Sequence, residues 1–357
     1  MDPKEAKRLL TAHRMKPEPA LSTNDYLSTG CTTLNLALTG TAQGGIPKGK
    51  YAFLVGDSSS GKTFMVLTMF AEATINKNFS TYRLRYNDVE GGALMNFTSY
   101  FGEKMEQRLE ITQSNTIEEF YDDLYESTQH PCIYVIDSMD ALSSDYEGRK
   151  WTEGRKARAG GPKAKGDYGD GKAKKNSSLV RQVLPRLRDT GSILLIISQT
   201  RDNMDGGLFE PSKIRSGGHA LKFYATAEIW TSVKKKLKKR VRGIEYPIGI
   251  IARAIVKKNR LTGKEWSVEF PLYFSTGIDD IGACVDYLSQ IKHWTTTDNG
   301  IITASDFTDC KGKRESLIKK LIIDNLEEDV IDIVNDHWKE IERECQIERR
   351  NKYQKTK

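Results

Sequence analysis

Eight consecutive residues carry the first chemistry. Gly56-Asp57-Ser58-Ser59-Ser60-Gly61-Lys62-Thr63 reads as glycine, four variable positions, glycine, lysine and a hydroxyl residue. Glycines let backbone N–H groups curl around phosphate oxygens at a helix N-terminus, a lysine neutralises the β- and γ-phosphates, and a threonine hydroxyl ligates Mg²⁺. The flanks suit this chemistry, because YAFLV leads in as a buried strand and FMVLTMFAEA leaves as a helix. A Gly/Ser-rich turn alone does not account for Lys62-Thr63. The expectation is a nucleotide site formed by residues 56 to 63.

Such a site needs a carboxylate at the end of a neighbouring buried strand, where it holds the metal or its water. Cys132-Ile133-Tyr134-Val135-Ile136-Asp137 supplies one in Asp137. Asp88 and Glu90, in YNDVEGG, are further candidates: a carboxylate there could polarise the attacking water, or simply cap a turn.

These residues must be positioned by a scaffold. Short apolar runs at Tyr51 to Val55, Thr81 to Tyr86, Cys132 to Ile136 and Ser192 to Ile197 alternate with helix-length stretches. That pattern predicts parallel strands buried on both faces, an α/β sheet with crossover helices. Further strands are expected at Ala227 to Val233, Gly249 to Val256 and Trp266 to Phe274, then a helical C-terminal region in which Val330, Val334, Trp338 and Ile341 repeat at helix spacing. A short basic helix is expected from Lys4 to Met15, stopped by Pro17 and Pro19. It is too short to stand alone and should pack on something.

The 357 residues are 38% hydrophobic and 29% charged, which excludes a disordered chain. The longest apolar runs fall far short of a membrane span, and the N-terminus lacks a secretory signal. Five scattered cysteines without C-x-x-C point to reduced thiols and a cytoplasmic setting, and the five histidines show no metal-binding spacing. The net charge of +7 is concentrated. Residues 147 to 175 hold ten basic against four acidic side chains, and residues 233 to 242 hold seven basic and no acidic ones. The remaining chain is mildly acidic. The first of these segments has almost nothing apolar to bury and is expected to be a mobile loop. The second is open to three readings: a surface hairpin, a duplex-DNA contact or a solvated turn.

Taken in order, the motifs resemble the RecA family of recombinases over roughly residues 25 to 290. The resemblance begins with Ser28-Thr29-Gly30, Leu34 to Leu38 and Gly44 to Gly49. It continues through the phosphate loop, Asp88 to Glu90, Ile136 to Leu142 and Ile196-Ile197-Ser198-Gln199. Most specific is Gly217-Gly218-His219-Ala220-Leu221-Lys222-Phe223-Tyr224, where a histidine replaces the family's asparagine. The resemblance implies a RecA-like P-loop core with a mostly parallel sheet over residues 25 to 275. A short N-terminal helix and linker for protomer packing (1 to 24) would precede it, and a small α/β or helical C-terminal domain with a basic tail (276 to 357) would follow.

It also implies roles. Glu90, Lys62 and Gln199 become catalytic, with Gln199 contacting the γ-phosphate, while Thr63 and Asp137 hold Mg²⁺ beside ATP. Phe97 is the nearest candidate for the adenine side. Arg201, Phe209, Lys213 and Arg215 fall in the second DNA-binding loop, and the basic segment with Arg149, Lys150, Arg155 and Lys156 takes the place of the first. Lys258 and Arg260 would reach the neighbouring protomer's ATP, with Lys222 and Phe223 in the same interface.

The implied activity is that of a DNA-dependent ATPase forming helical homopolymers on single-stranded DNA and exchanging strands with a duplex target. Single-strand-binding and mediator proteins would be its accessory partners, with no membrane. The departures from bacterial members, a long first loop and a basic C-terminus, resemble phage recombinases of the UvsX type, which would place the protein in a host cytoplasm. Two alternatives use the same core. A hexameric helicase or translocase would form closed rings and usually needs a partner-binding N-terminal domain. A non-catalytic accessory paralogue would not need the full set of Lys62, Thr63, Glu90, Asp137 and Gln199.

Overall fold

The computed structural model describes residues 21–92, 94–159, 171–202, 213–215 and 219–349. The expected N-terminal helix and the basic C-terminal tail lie outside them. Among the described residues the chain forms one large sheet with helices on both faces.

The sheet is built from β3 (Tyr51–Gly56), β4 (Arg83–Asp88), β5 (Leu109–Thr112), β6 (Cys132–Asp137), β7 (Ile193–Asp202), β9 (Ala227–Val241), β10 (Ile244–Asn259), β11 (Ser267–Tyr273) and β12 (Gly277–Ile278), with β8 (Lys213–Arg215) paired to β7 alone. Its order is β12-β11-β10-β9-β3-β7-β6-β4-β5. The strands from β5 to β9 run parallel, and those from β9 to β12 antiparallel. A separate pair, β1 (Tyr26–Leu27) and β2 (Ile46–Pro47), precedes it, and a three-stranded antiparallel sheet, β13 (Thr295–Thr296), β14 (Ile301–Thr303) and β15 (Lys311–Lys313), follows.

Burial on both faces explains the apolar runs. Side chains alternate along a strand, so Ala52 and Leu54 enter one core while Tyr51, Phe53 and Val55 enter the other. Ile133 and Val135 divide from Cys132, Tyr134 and Ile136 in the same way. On the first face lie α1 (Thr32–Thr39), α2 (Lys62–Ile75), α3 (Phe97–Phe101), α4 (Glu103–Arg108) and α9 (Asp280–Gln290), with α10 (Arg314–Ile323) and α11 (Glu327–Glu344) packed behind α9 in the same apolar cluster. The second face is covered by α5 (Ile117–Ser127), α7 (Gly171–Thr190) and α8 (His219–Tyr224). Parallel pairing aligns the C-terminal ends of the central strands, with Gly56 opposite Gln199 and Asp88 opposite Asp137.

Two expectations change here. Residues 147 to 175 were expected to be a mobile loop, but α6 (Asp145–Arg158) and the start of α7 are helical, which leaves 160–170 outside the described residues. The reason is local. Ser144 and Glu147 form a reciprocal cap, in which the Glu147 N–H donates to Ser144 Oγ at 3.2 Å and the Ser144 N–H to Glu147 Oε2 at 3.0 Å. Acidic residues open the helix and Arg155, Lys156 and Arg158 close it, which complements the helix dipole without any apolar core.

The basic run from Lys234 to Arg242, left open between three readings, belongs to a hairpin longer than the strands expected there. Its arms, β9 and β10, turn at Arg242-Gly243, where φ is 50° and 86°. Two consecutive left-handed residues match the turn that joins twisted antiparallel arms. Beyond Thr231 the side chains of β9 are exposed or half-exposed, so the lysines extend past the packed core.

Candidate nucleotide site and DNA-facing segments

The phosphate loop is shaped by close backbone approach. A Cβ on Gly56 would lie 2.4 Å from both the carbonyl oxygen and the hydroxyl of Thr231, so only glycine fits where β3 passes β9. Ser59 and Gly61 adopt positive φ of 61° and 91°, which curls the loop before α2 begins. Ser60 and Thr231 hydroxyls share a 2.8 Å hydrogen bond that fastens the curl to β9. Gly61 supplies no side-chain cap, and the first-turn N–H groups of the 14-residue α2 point outward in the manner of an anion site.

Lys62 is buried, and its ammonium donates to the carbonyls of Gly56 at 2.9 Å and Asp57 at 2.7 Å. Burial pulls its pKa down, while Asp137 and Glu90 pull it back up. The Thr63 hydroxyl donates to Asp137 Oδ2 at 2.6 Å, and Tyr86 donates to the same oxygen at 2.9 Å. Burial raises the Asp137 carboxyl against these bonds. A threonine and a carboxylate oxygen side by side, next to a backbone cradle and a buried lysine, fit a nucleotide phosphate with Mg²⁺, a hard cation that prefers oxygen.

The second cluster forms where β4, β6 and β7 end. Val89 N–H donates to the Asp137 carbonyl at 2.9 Å and holds the turn carrying Glu90 against β6. Glu90 Oε1 accepts from Ser138 Oγ at 2.5 Å and from Gln199 Nε2 at 3.1 Å. The Gln199 backbone N–H is held in turn by Asp140 Oδ2 at 2.6 Å. Asp88 instead accepts from the Gly92 N–H at 3.1 Å, the turn-capping role that was its other reading. Ser138 and Asp140 were within a recognised motif but carried no expected role, and only the adjacency of β4, β6 and β7 reveals their contacts.

Beyond Gln199, β7 continues to Asp202 and pairs with β8, with Arg201 opposite Ile214 and Asp202 opposite Lys213. Thr200 and Lys213 both donate to the Asp57 carboxylate of the phosphate loop. These bonds hold the Asp57 carboxyl below its usual range. Arg201 is exposed, Arg215 is placed by its backbone in β8, and Phe209 lies outside the described residues. Arg149, Lys150, Arg155 and Lys156 lie on α6. Phe97 is half-buried and packs against the first-face core.

Lys258 and Arg260 do not converge on the same site. Lys258 pairs with Glu228, which stands beside Phe53 rather than Gly56, so both lie toward the other end of β3 from the phosphate loop. There Lys258 donates to the carbonyls of Lys222 and Phe223, the latter at 3.0 Å, and Arg260 donates to Phe223, so the two cations cap the C-terminal end of α8. Phe223 is 64% exposed beside them. The four residues expected at an interface thus form one surface patch.

The RecA N-terminal domain model matches residues 16–279, most of the chain. The chain belongs to the RecA family. It is 29% identical to Protein RecA of Prochlorococcus marinus (strain MIT 9215) over 342 residues, 90% of this chain and 83% of the relative. Protein RecA of Trichodesmium erythraeum (strain IMS101) is 29% identical over 290 residues, 79% of this chain and 70% of the relative. Protein RecA of Synechococcus sp. (strain CC9902) is 31% identical over 289 residues, 79% of this chain and 67% of the relative. This RecA-family protein is an ATP-dependent recombinase, with a DNA-dependent ATPase activity. No helix among the described residues is long and apolar enough to cross a membrane.

Proposed function

We propose that this RecA-family protein polymerises on single-stranded DNA with ATP between protomers, pairs the bound strand with homologous duplex DNA, and uses hydrolysis to leave. The observation that carries the reading is the meeting of the Thr63–Asp137 pair with the Ser138–Glu90–Gln199 cluster at the aligned ends of β3, β4, β6 and β7.

In this reading Lys62 and the first-turn N–H groups of α2 bind the phosphates, while Thr63 and Asp137 would hold Mg²⁺, whose charge would offset that of the transferred phosphoryl group. Glu90 takes a proton from the attacking water, and Ser138 and Gln199 orient its carboxylate. Gln199 and Asp57 lead directly to the β7–β8 segment, so occupancy of the phosphate site is felt where DNA binds. Lys258 and Arg260, remote from their own phosphate loop, serve the nucleotide of the next protomer, with Lys222 and Phe223 lining the same contact. Phe97 is the adenine-side residue. The basic β9–β10 arms, α6 and the β7–β8 segment supply phosphate contacts without reading sequence. Single-strand-binding and mediator proteins are the accessory partners, and the host cytoplasm is the setting.

Negative-stain imaging of the full chain with single-stranded DNA and a slowly hydrolysed ATP analogue tests this. Helical filaments are expected. Closed rings would favour a translocase, and no assembly would favour an accessory paralogue.

A further inference from the structure

Trp151 lies on α6 and is 62% exposed, the most solvent-accessible of the chain's five tryptophans. Trp294 and Trp338 are buried, and Trp230 and Trp266 are half-buried. An indole that stays mostly in water on a highly charged helix contributes little to packing. Of its neighbours on the same helix face, Glu147, Gly148, Gly154 and Arg155, one is a cation. The Arg155 guanidinium, one turn on, sits 5.7 Å from the Trp151 ring centroid, loosely enough to leave the ring accessible. Arg149, Trp151, Thr152 and Lys156 also wall an open groove of about 780 Å³ whose base includes Thr116 and Ser143.

Asp145 and Glu153 also line this groove, so its charge is mixed at the start of α6 and basic beyond it. Glu147 is consumed by the cap with Ser144, and Asp145 sits in the first turn, where negative charge suits the helix dipole. From residue 149 to 158 the helix therefore presents five cations, Arg149, Lys150, Arg155, Lys156 and Arg158, against Glu153 alone. An accessible indole set among guanidinium and ammonium groups matches the two surfaces of a single strand, a flat base and a charged phosphate. A duplex, with its bases stacked inside, would not use the indole.

We propose that Trp151 is a base-stacking platform: an unpaired base of single-stranded DNA lies on its ring while Arg149 and Lys156 hold adjacent phosphates. The inference rests on the DNA-binding role of this segment and adds the residue that engages bases rather than backbone. Stacking on an aromatic side chain is open to every base, so it sets affinity without setting sequence preference.

The test uses the full chain, a slowly hydrolysed ATP analogue and an oligothymidylate, with binding read by anisotropy of an end-labelled strand and by tryptophan emission with the unlabelled strand. Trp151→Ala is expected to weaken binding about 10- to 100-fold with the salt slope unchanged. Trp151→Phe keeps a stacking surface, so it should bind within about 3-fold of the parent while losing the quenching that DNA causes in the parent protein. Parent-like affinity in Trp151→Ala, or quenching that persists in Trp151→Phe, overturns the proposal. So does a fall in salt slope with Trp151→Ala, which would mark loss of the helix rather than of a platform. If the parent protein does not bind the oligonucleotide at all, the DNA role of the segment fails first and the stacking role with it.

Discussion

Gln199 donates its side-chain amide to the Glu90 carboxylate at 3.1 Å, joining the end of β7 to the turn after β4. Ser138 donates to the same oxygen, so the carboxylate is held from two strands. Glu90→Gln should keep ATP binding and filament formation while lowering turnover about 10²- to 10⁴-fold, the usual contribution of a positioned general base. Lys62→Ala should instead lose nucleotide binding. Parallel measurement of analogue affinity and phosphate release separates the two, and equal loss of binding in both variants would remove Glu90 from the chemistry.

Asp57 offers a second handle, because Thr200 and Lys213 reach across to it from the β7–β8 segment. Asp57→Asn removes the charge that holds Lys213 at the phosphate loop. Nucleotide-free protein should then bind single-stranded DNA more tightly, by a few-fold, narrowing the difference between the nucleotide-free and analogue-bound states. Titrating labelled DNA in both states measures that ratio, and an unchanged ratio would mean the pair does not link the two sites.

Neutralising Arg149, Lys150, Arg155 and Lys156 to glutamine should flatten the dependence of DNA affinity on salt. Each single-strand phosphate contact adds about 0.7 to the slope of log affinity against log salt, so loss of all four would lower it by up to about 3. An unaltered slope would leave α6 as a spacer.

Arg260→Ala should reduce ATP turnover in the polymer far more than nucleotide affinity of the isolated protomer, since Arg260 lies away from its own phosphate loop. Mixed with Glu90→Gln protein, Arg260→Ala chains have intact Glu90 sites that can face intact Arg260 on a neighbour, so partial turnover should return. Phosphate release across a series of mixing ratios reads this directly.

Asp280 ties α9 to α1 by accepting from the Thr32 N–H at 2.6 Å and the Thr32 hydroxyl at 2.7 Å. Burial holds its carboxyl up to about 6, from an ordinary 3.8. An acid raised in the folded state binds more protons there than in the unfolded chain, so its contribution to stability is greatest below its unfolded value and is lost as pH rises through that window. Asp280→Asn retains an acceptor for Thr32 and should shrink the difference in urea midpoint between about pH 4 and about pH 7. A difference as large as in the parent would assign the pH dependence to another group.

The hydrophobic patterning was legible because burial on both faces of a parallel sheet demands continuous apolar runs, as in Tyr51 to Val55 and Cys132 to Ile136. The nucleotide motif was legible because backbone geometry at Gly56 and Gly61 admits little else. Composition misled at residues 147 to 175, where hydrophobicity was low but capping was strong. The Ser144–Glu147 cap and the charge order along α6 act locally, and their signal lies in residue positions rather than in content.

The sequence by itself determined the core strands, the phosphate loop and the family, since each rests on residues close together in the chain. Only the tertiary structure decided which distant residues meet: Ser138 and Gln199 on Glu90, Thr200 and Lys213 on Asp57, and Lys258 with Arg260 at the end of α8. Those meetings depend on strand order and register, which bring residues dozens of positions apart together at one end or the other of the same strands.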